Sequence, residues 1–204
     1  MHLTRAQWAL VVLNAAYLLP LTLWFGIQGD WEFLWYVGFV ILLVVILLTT
    51  IHKTHFPTWL LGMLSVWAAL HMAGGSVVVD GSVLYWKELW HIVGEGDSYV
   101  LRFDQIVHFY GFFVTTFVAY WLLLPHLRPG FRVGMIAFIA MFVSMGFGAF
   151  NEIIEFITVL FVPENGVGGY YNTAIDLVSN CLGALTAAFF IVYGPISKKP
   201  IVRE

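Results

Sequence analysis

Six long apolar runs dominate the chain: Trp8 to Ile27, Phe33 to Ile51, Pro57 to Ala73, Phe103 to Leu124, Val133 to Val162 and Thr173 to Tyr193. A bilayer's hydrocarbon core is about 30 Å thick and takes about 20 apolar residues in helical form. Lipid offers no partner to backbone N–H and C=O groups, so each run must be a helix that satisfies its own backbone. The run from Pro57 is short, and the run from Val133 is long enough to tilt or project. The expected fold is all-α: a polytopic transmembrane helix bundle of about six spans, forming one integral membrane domain over residues 1–204. A long outer loop, 74–102, separates the third and fourth spans. The first run follows Arg5 much as a signal sequence would, but its apolar stretch continues past any recognisable processing site, so it reads as a retained span.

Composition excludes the other broad classes. Of 204 residues, 61% are hydrophobic and 10% charged, and the mean hydropathy is +0.88. A soluble domain carries about a quarter charged residues to cover its surface. A disordered chain needs low hydrophobicity and high net charge. A formal net charge of -3 without a basic stripe argues against nucleic acid as a partner. The single cysteine, Cys181, lies in an apolar run and leaves no disulfide framework or cysteine-based zinc site. The lipid bilayer is thus the one partner that composition itself demands.

Lysine and arginine give an orientation. With the amino terminus cytoplasmic, the inner segments hold Arg5, Lys53, Arg128, Arg132, Lys198, Lys199 and Arg203, and the outer ones only Lys87 and Arg102. Seven against two places both termini inside. Trp24, Trp31, Trp35, Trp59, Trp86, Trp90, Trp121, Tyr170 and Tyr171 fall near run ends, where amphipathic rings favour the membrane interface. In the outer loop, Val77 to Val79 and Val83 to Tyr85 flank Asp80-Gly81 as in a two-residue hairpin, and an interfacial helix is expected through Trp86 to Val93. His52-Lys53-Thr54-His55 has no carboxylate in its segment and reads as a solvated turn. Met63, Met72, Met135, Met141 and Met145 read as packing residues. No P-loop or nucleophile-elbow signature is present.

Of the twelve acidic residues, all but Asp104, Glu152, Glu155 and Asp176 fall in loops or the tail. An acid at the centre of a membrane helix costs about 2.5–3.5 kcal/mol on the insertion scale, so these four need compensation. Topology puts them at similar depth. Asp104 and His108 lie at the outer end of the fourth span, Glu152 and Glu155 towards the outer end of the fifth, and Asp176 and Asn180 in the first two turns of the sixth. Each pair is spaced i,i+4 or i,i+3, hence on one helix face. His71 lies near the outer end of the third span. Gly146 and Gly148, with the stripe Ser179, Gly183 and Ala187, allow helices to approach closely.

Charge balance suggests chemistry. Four carboxylates against Arg102 and a protonated His108 leave a deficit of two charges, to be met by a divalent metal ion, shared protons or substrate cations. Carboxylates plus an imidazole suit Mg, Mn, Fe or Zn, and bundle metal sites are built from facing helices. The paired Glu-x-x-His units of di-iron bundles are missing. Asp104, His108, Glu152, Glu155 and Asp176, with His71 as a further candidate, are therefore the metal-ligand candidates. The same five without His71 are the candidate acid/base or catalytic groups. Arg102, Asn151, Asn172 and Asn180 are candidate substrate-binding residues. A structural reading remains open for Asp104 as a helix cap paired with Arg102 and for Asp176 as a first-turn acid, and for either histidine as a hydrogen-bonded core residue. Glu152 and Glu155 resist that reading, because the helix dipole disfavours anions near a C-terminal end.

The stretches Arg102-Phe-Asp104-Gln-Ile-Val-His108-Phe-Tyr-Gly111-Phe, Asn151-Glu152-Ile-Ile-Glu155-Phe and Tyr171-Asn172-Thr-Ala-Ile-Asp176 resemble the YjdF-like (DUF2238) family of bacterial inner-membrane proteins. Asp104 to His108 and Asp176-Leu-Val-Ser-Asn180-Cys-Leu-Gly183 are also similar to VanZ-like membrane proteins associated with glycopeptide resistance. The resemblance covers roughly His71 to Gly183. It implies a compact polytopic inner-membrane protein with a polar cluster and, through the VanZ-like proteins, an association with the cell envelope. Asn172 departs from the more acidic family pattern, so no carboxylate role is carried over to it. Three functions remain in competition. The first is an outer-leaflet metal site acting on an amphiphilic or lipid-linked envelope substrate. The second is a proton- or ion-coupled transporter or relay built on the same acids. The third is a scaffold whose buried acids only fix helix register.

Overall fold

Helix starts follow from residues that can satisfy the free N–H groups of a first turn. In the computed structural model, which describes residues 3–91, 100–127, 130–161 and 168–195, helix α1 (Arg5–Gln28) begins at Thr4. The Thr4 hydroxyl accepts from the Gln7 N–H and the Gln7 side chain accepts from the Thr4 N–H, a reciprocal cap that starts the helix ahead of Trp8. Gly29 closes it with φ 72, in the left-handed region that glycine enters without penalty. Asp30 then caps α2 (Trp31–Thr54) by accepting from the Phe33 N–H. α2 runs to Thr54, with His52 and Lys53 in its last turn and His55 as its left-handed cap. The segment expected as a solvated turn is thus a helix end, where cationic side chains complement the dipole. Pro57 precedes α3 (Thr58–Ser76).

Two compact units result, Met1–Lys87 and Glu88–Glu204. In the first, α1 packs against α2 and α3 around Leu18, Phe25, Val37, Val40, Ala68 and Met72. Asn14 ties α1 to α3 by donating to Ser65 Oγ at 2.8 Å and accepts from the Tyr17 hydroxyl at 2.6 Å. Strands β1 (Val78–Val79) and β2 (Ser82–Val83) pair across Asp80-Gly81. Both turn residues have positive φ, 53 and 85, as a primed hairpin turn requires. Lys87 Nζ donates to Asp80 Oδ2 at 2.5 Å, and this hydrogen bond and charge hold the exposed Asp80 carboxyl below its ordinary range. Residues Leu84–Trp86 form a 3₁₀ turn.

The second unit starts with β3 (Glu88–His91), antiparallel to β4 (Val100–Arg102). The interfacial helix expected through Trp86 to Val93 is therefore replaced by a 3₁₀ turn and a strand. Its last two residues lie outside the described ones, as do Glu95, Asp97, Arg128, Glu164, Lys198, Lys199, Arg203 and Glu204. β4 leads straight into α4 (Phe103–Leu123), followed by a 3₁₀ turn at Leu124–His126, α5 (Val133–Phe161) and α6 (Tyr170–Tyr193). These three helices pack mutually, α4 against α6 most extensively. A Cβ at Gly183 of α6 would collide with the Phe109 carbonyl oxygen of α4, and one at Gly148 of α5 would meet the Asn180 side chain. Ser179 and Ala187 share the buried face with Gly183, whereas Gly146 faces open space. Val114, Ile136, Ala140, Ala184, Ala187 and Ile191 are wholly buried. Phe138, Phe142, Phe147, Phe150 and Phe156 point outward, as suits a surface solvated by lipid.

The protein is all-α in its bulk and polytopic. Among the described residues, five helices are long and apolar enough to cross a membrane: α1, α2 from Phe33, α4 with its 3₁₀ extension, α5 and α6. The sixth, α3, has 19 residues and is about 28 Å long at 1.5 Å per residue. His71, Ser65 and its glycines dilute its hydropathy, and it falls outside that set.

Candidate metal centre

The three helices of the second unit each deliver polar side chains to one end of their shared interface. On α4, the Arg102 N–H donates to Gln105 Oε1 at 2.7 Å, so the first turn is closed by a side chain from within it. Asp104 follows in that turn, and His108 lies one turn deeper and buried. On α5, Asn151, Glu152 and Glu155 project from the last third of the helix. On α6, Asn172, Asp176 and Asn180 lie one turn apart, which aligns them on one face.

His108 sits at the centre. Its Nδ1 lies 3.1 Å from Asn180 Oδ1 and 3.5 Å from Glu152 Oε1. Its Nε2 lies 3.6 Å from Asp104 Oδ1 and 3.7 Å from Glu155 Oε1. Every group facing the ring is an acceptor. A proton on Nδ1 given to Asn180 leaves the Nε2 lone pair towards Asp104 and Glu155, the tautomer that a metal-ligating imidazole needs. Asp176, with no exposed surface, accepts from Gln105 Nε2 at Oδ1 (2.7 Å) and from Asn172 Nδ2 at Oδ2 (2.6 Å). Asn172 Nδ2 also reaches Asp104 Oδ2 at 3.3 Å. Asn151 Nδ2 donates to Glu155 Oε1 at 2.7 Å.

Glu152 is the exception. It is 8% exposed, and neither of its carboxylate oxygens accepts a hydrogen bond from the protein. One ligand atom each from His108, Glu152, Glu155 and Asp176 lies within 4.8 Å of all the others, so this group could hold a metal ion. Carboxylates this close are stable only if they share protons or surround a cation.

The other candidates divide by place. Asp104 and Glu155, each 20% exposed at the side chain, form the rim of the cluster. Arg102 stands at the α4 N-terminus, near enough to Asp176 to act on it electrostatically. Asn151, Asn172 and Asn180 serve as hydrogen-bond partners of Glu155, of Asp104 with Asp176, and of His108. His71 is outside the metal-capable group. It belongs to the first unit, stacked on Trp67 with ring centroids 5.4 Å apart, and its Nδ1 is 2.6 Å from the Tyr85 hydroxyl. Sequence reasoning missed Gln105, which is 1% exposed. Its signal was a glutamine three residues after the helix-capping position, beside an intramembrane aspartate.

The family model described as predicted membrane protein (DUF2238) matches residues 7–194, which takes in α1 from its third residue, the other five helices and every residue of the cluster. The chain belongs to the DUF2238 family. DUF2238 membership agrees with the apolar, membrane-spanning architecture. The chain is also 34% identical over 90 residues to an uncharacterised protein of Thermotoga maritima; the match covers 44% of this chain and 47% of that protein. It therefore spans about half the length of this curated relative. No solved structure matches the chain.

Proposed function

We propose that this DUF2238 protein binds a divalent metal ion in its α4–α6 bundle and uses it on an amphiphilic, lipid-linked substrate of the cell envelope. The observation that carries the reading is Glu152. A carboxylate this buried, with no hydrogen-bond donor of its own and three further metal-capable side chains around it, is costly without a cation and well supplied with one. His108, Glu152, Glu155 and Asp176 are the proposed ligands. Asp104, on the rim, is the proposed acid/base group or a fifth ligand. The bound ion would polarise a phosphoryl or carbonyl oxygen and activate water, while Arg102 would hold an anionic headgroup.

Below the cluster the bundle interior is filled by wholly buried apolar residues, Val114, Ile136, Ala140, Ala184, Ala187 and Ile191. That floor supports a site entered from one end, and so favours chemistry or binding over a proton- or ion-coupled transporter. The exposed rings of Trp90 in β3 and of Tyr170 and Tyr171 at the start of α6 fit an interfacial setting. With α3 counted as a sixth span, the lysine and arginine distribution favours a reading in which both termini are cytoplasmic and the site lies at the outer leaflet of a bacterial inner membrane.

The test is the metal content of the purified full-length protein against a Glu152→Gln, Glu155→Gln double variant. Stoichiometric divalent metal in the parent and its loss from a folded double variant is the expected result. A parent without stoichiometric metal under several metal supplies contradicts the proposal.

A further inference from the structure

Resting on the metal reading, we infer that Gln105 is a positioning residue that fixes Asp176 as a ligand. The Arg102 backbone N–H can only donate, so the Gln105 oxygen must face it, at 2.7 Å. The amide nitrogen is thereby turned towards α6, where it donates to Asp176 Oδ1 at 2.7 Å and approaches Asn172 Oδ1 at 3.5 Å. Asn172 in turn donates to the other Asp176 oxygen at 2.6 Å. Each carboxylate oxygen of Asp176 therefore receives one amide N–H and keeps a lone pair for a cation. The carboxylate plane is set by two helices at once.

The contrast within the site gives the arrangement its meaning. Asp176 has two amide donors, Glu155 has one from Asn151, and Glu152 has none. Asp176 is thus the ligand whose orientation the protein's own hydrogen bonds fix most fully. Gln105 performs this role from complete burial and without touching the metal, as the hydrogen-bond partners of metal ligands do elsewhere.

Gln105→Glu tests the assignment, because it keeps the shape and the acceptor for the Arg102 N–H but presents an acceptor to Asp176 where a donor stood. Asn172→Ala, at the half-exposed start of α6, removes the other donor and guards against a Gln105 variant that does not fold. The readouts are Mn²⁺ affinity and the visible spectrum of the Co²⁺-loaded protein, with helical circular dichroism and gel-filtration elution as controls for folding. Folded variants are expected to lose about 10- to 100-fold in Mn²⁺ affinity and to show an altered Co²⁺ spectrum, which a residue with a purely structural role would leave unchanged. Parental affinity and spectrum in folded variants overturn the positioning role while the metal reading stands. A parent protein that binds neither ion overturns both.

Discussion

Glu152→Leu is expected to stabilise the protein in the absence of divalent metal and to abolish metal binding. The Glu152 carboxylate is buried and accepts no hydrogen bond from the protein, and an unsatisfied polar group of this kind costs about 1–3 kcal/mol. Leucine has a similar reach and no polar atoms, so in chelator-treated protein the gain is expected to be of that size. His108→Leu should act in the opposite direction. It removes the imidazole that faces Asp104, Glu152 and Glu155 together and leaves the buried Asn180 Oδ1 without its hydrogen-bond partner, and a buried polar group orphaned in this way costs about 1–3 kcal/mol. Thermal melts of both variants with and without chelator measure the two signs. Gain of stability with loss of binding is the signature of a residue kept for function at the expense of the fold. If Glu152→Leu instead destabilises the chelator-treated protein, Glu152 is a structural residue.

The second large effect belongs to the helix interface. Gly183→Val is expected to cost about 3 kcal/mol or more, the upper end for overpacking, because the added Cβ meets the Phe109 carbonyl oxygen and the Phe113 nitrogen of α4. Backbone atoms of a neighbouring helix cannot swing aside as a side chain would. The α4–α6 packing would have to open, and with it the spacing between His108 and Asn180. Gly146→Ala, at a glycine that faces open space, is the matched control. It should be neutral or stabilising by up to about 1 kcal/mol, the helix-propensity difference between the two residues. Comparing the melting temperatures and monodispersity of the two variants in detergent checks the prediction.

These two glycines show what spacing conveys and what it does not. Gly146 and Gly148 look alike in the sequence, yet only Gly148 approaches another helix, since two residues along a helix turn the side chain position by about 200°. The helices themselves are legible because lipid demands continuous helical hydrogen bonding. Their ends shift by a few residues where Thr4 with Gln7 extends the first turn of α1, or His55 closes the last turn of α2. Strand β3 was not legible, because its partner Val100–Arg102 lies across an intervening segment and short strands are made by pairing more than by local preference. Within the site, the i,i+4 and i,i+3 spacings put each helix's polar residues on one face. Depth alone does not say which side chains a residue meets: His71, placed by sequence near an outer helix end, has its Nδ1 2.6 Å from the Tyr85 hydroxyl. Gln105 was hidden for a different reason: an amide carries no charge to balance, and only its two partners reveal its place.

The central claim is a metal held by one imidazole and several carboxylates between α4, α5 and α6. X-ray absorption at the metal edge of the Mn²⁺- or Zn²⁺-loaded protein tests it most directly. Oxygen-dominated coordination with one imidazole per ion and no sulfur is the result expected from His108, Glu152, Glu155 and Asp176. Two or more imidazoles, as the His52 and His55 pair would supply, or a sulfur from Cys181, would contradict it.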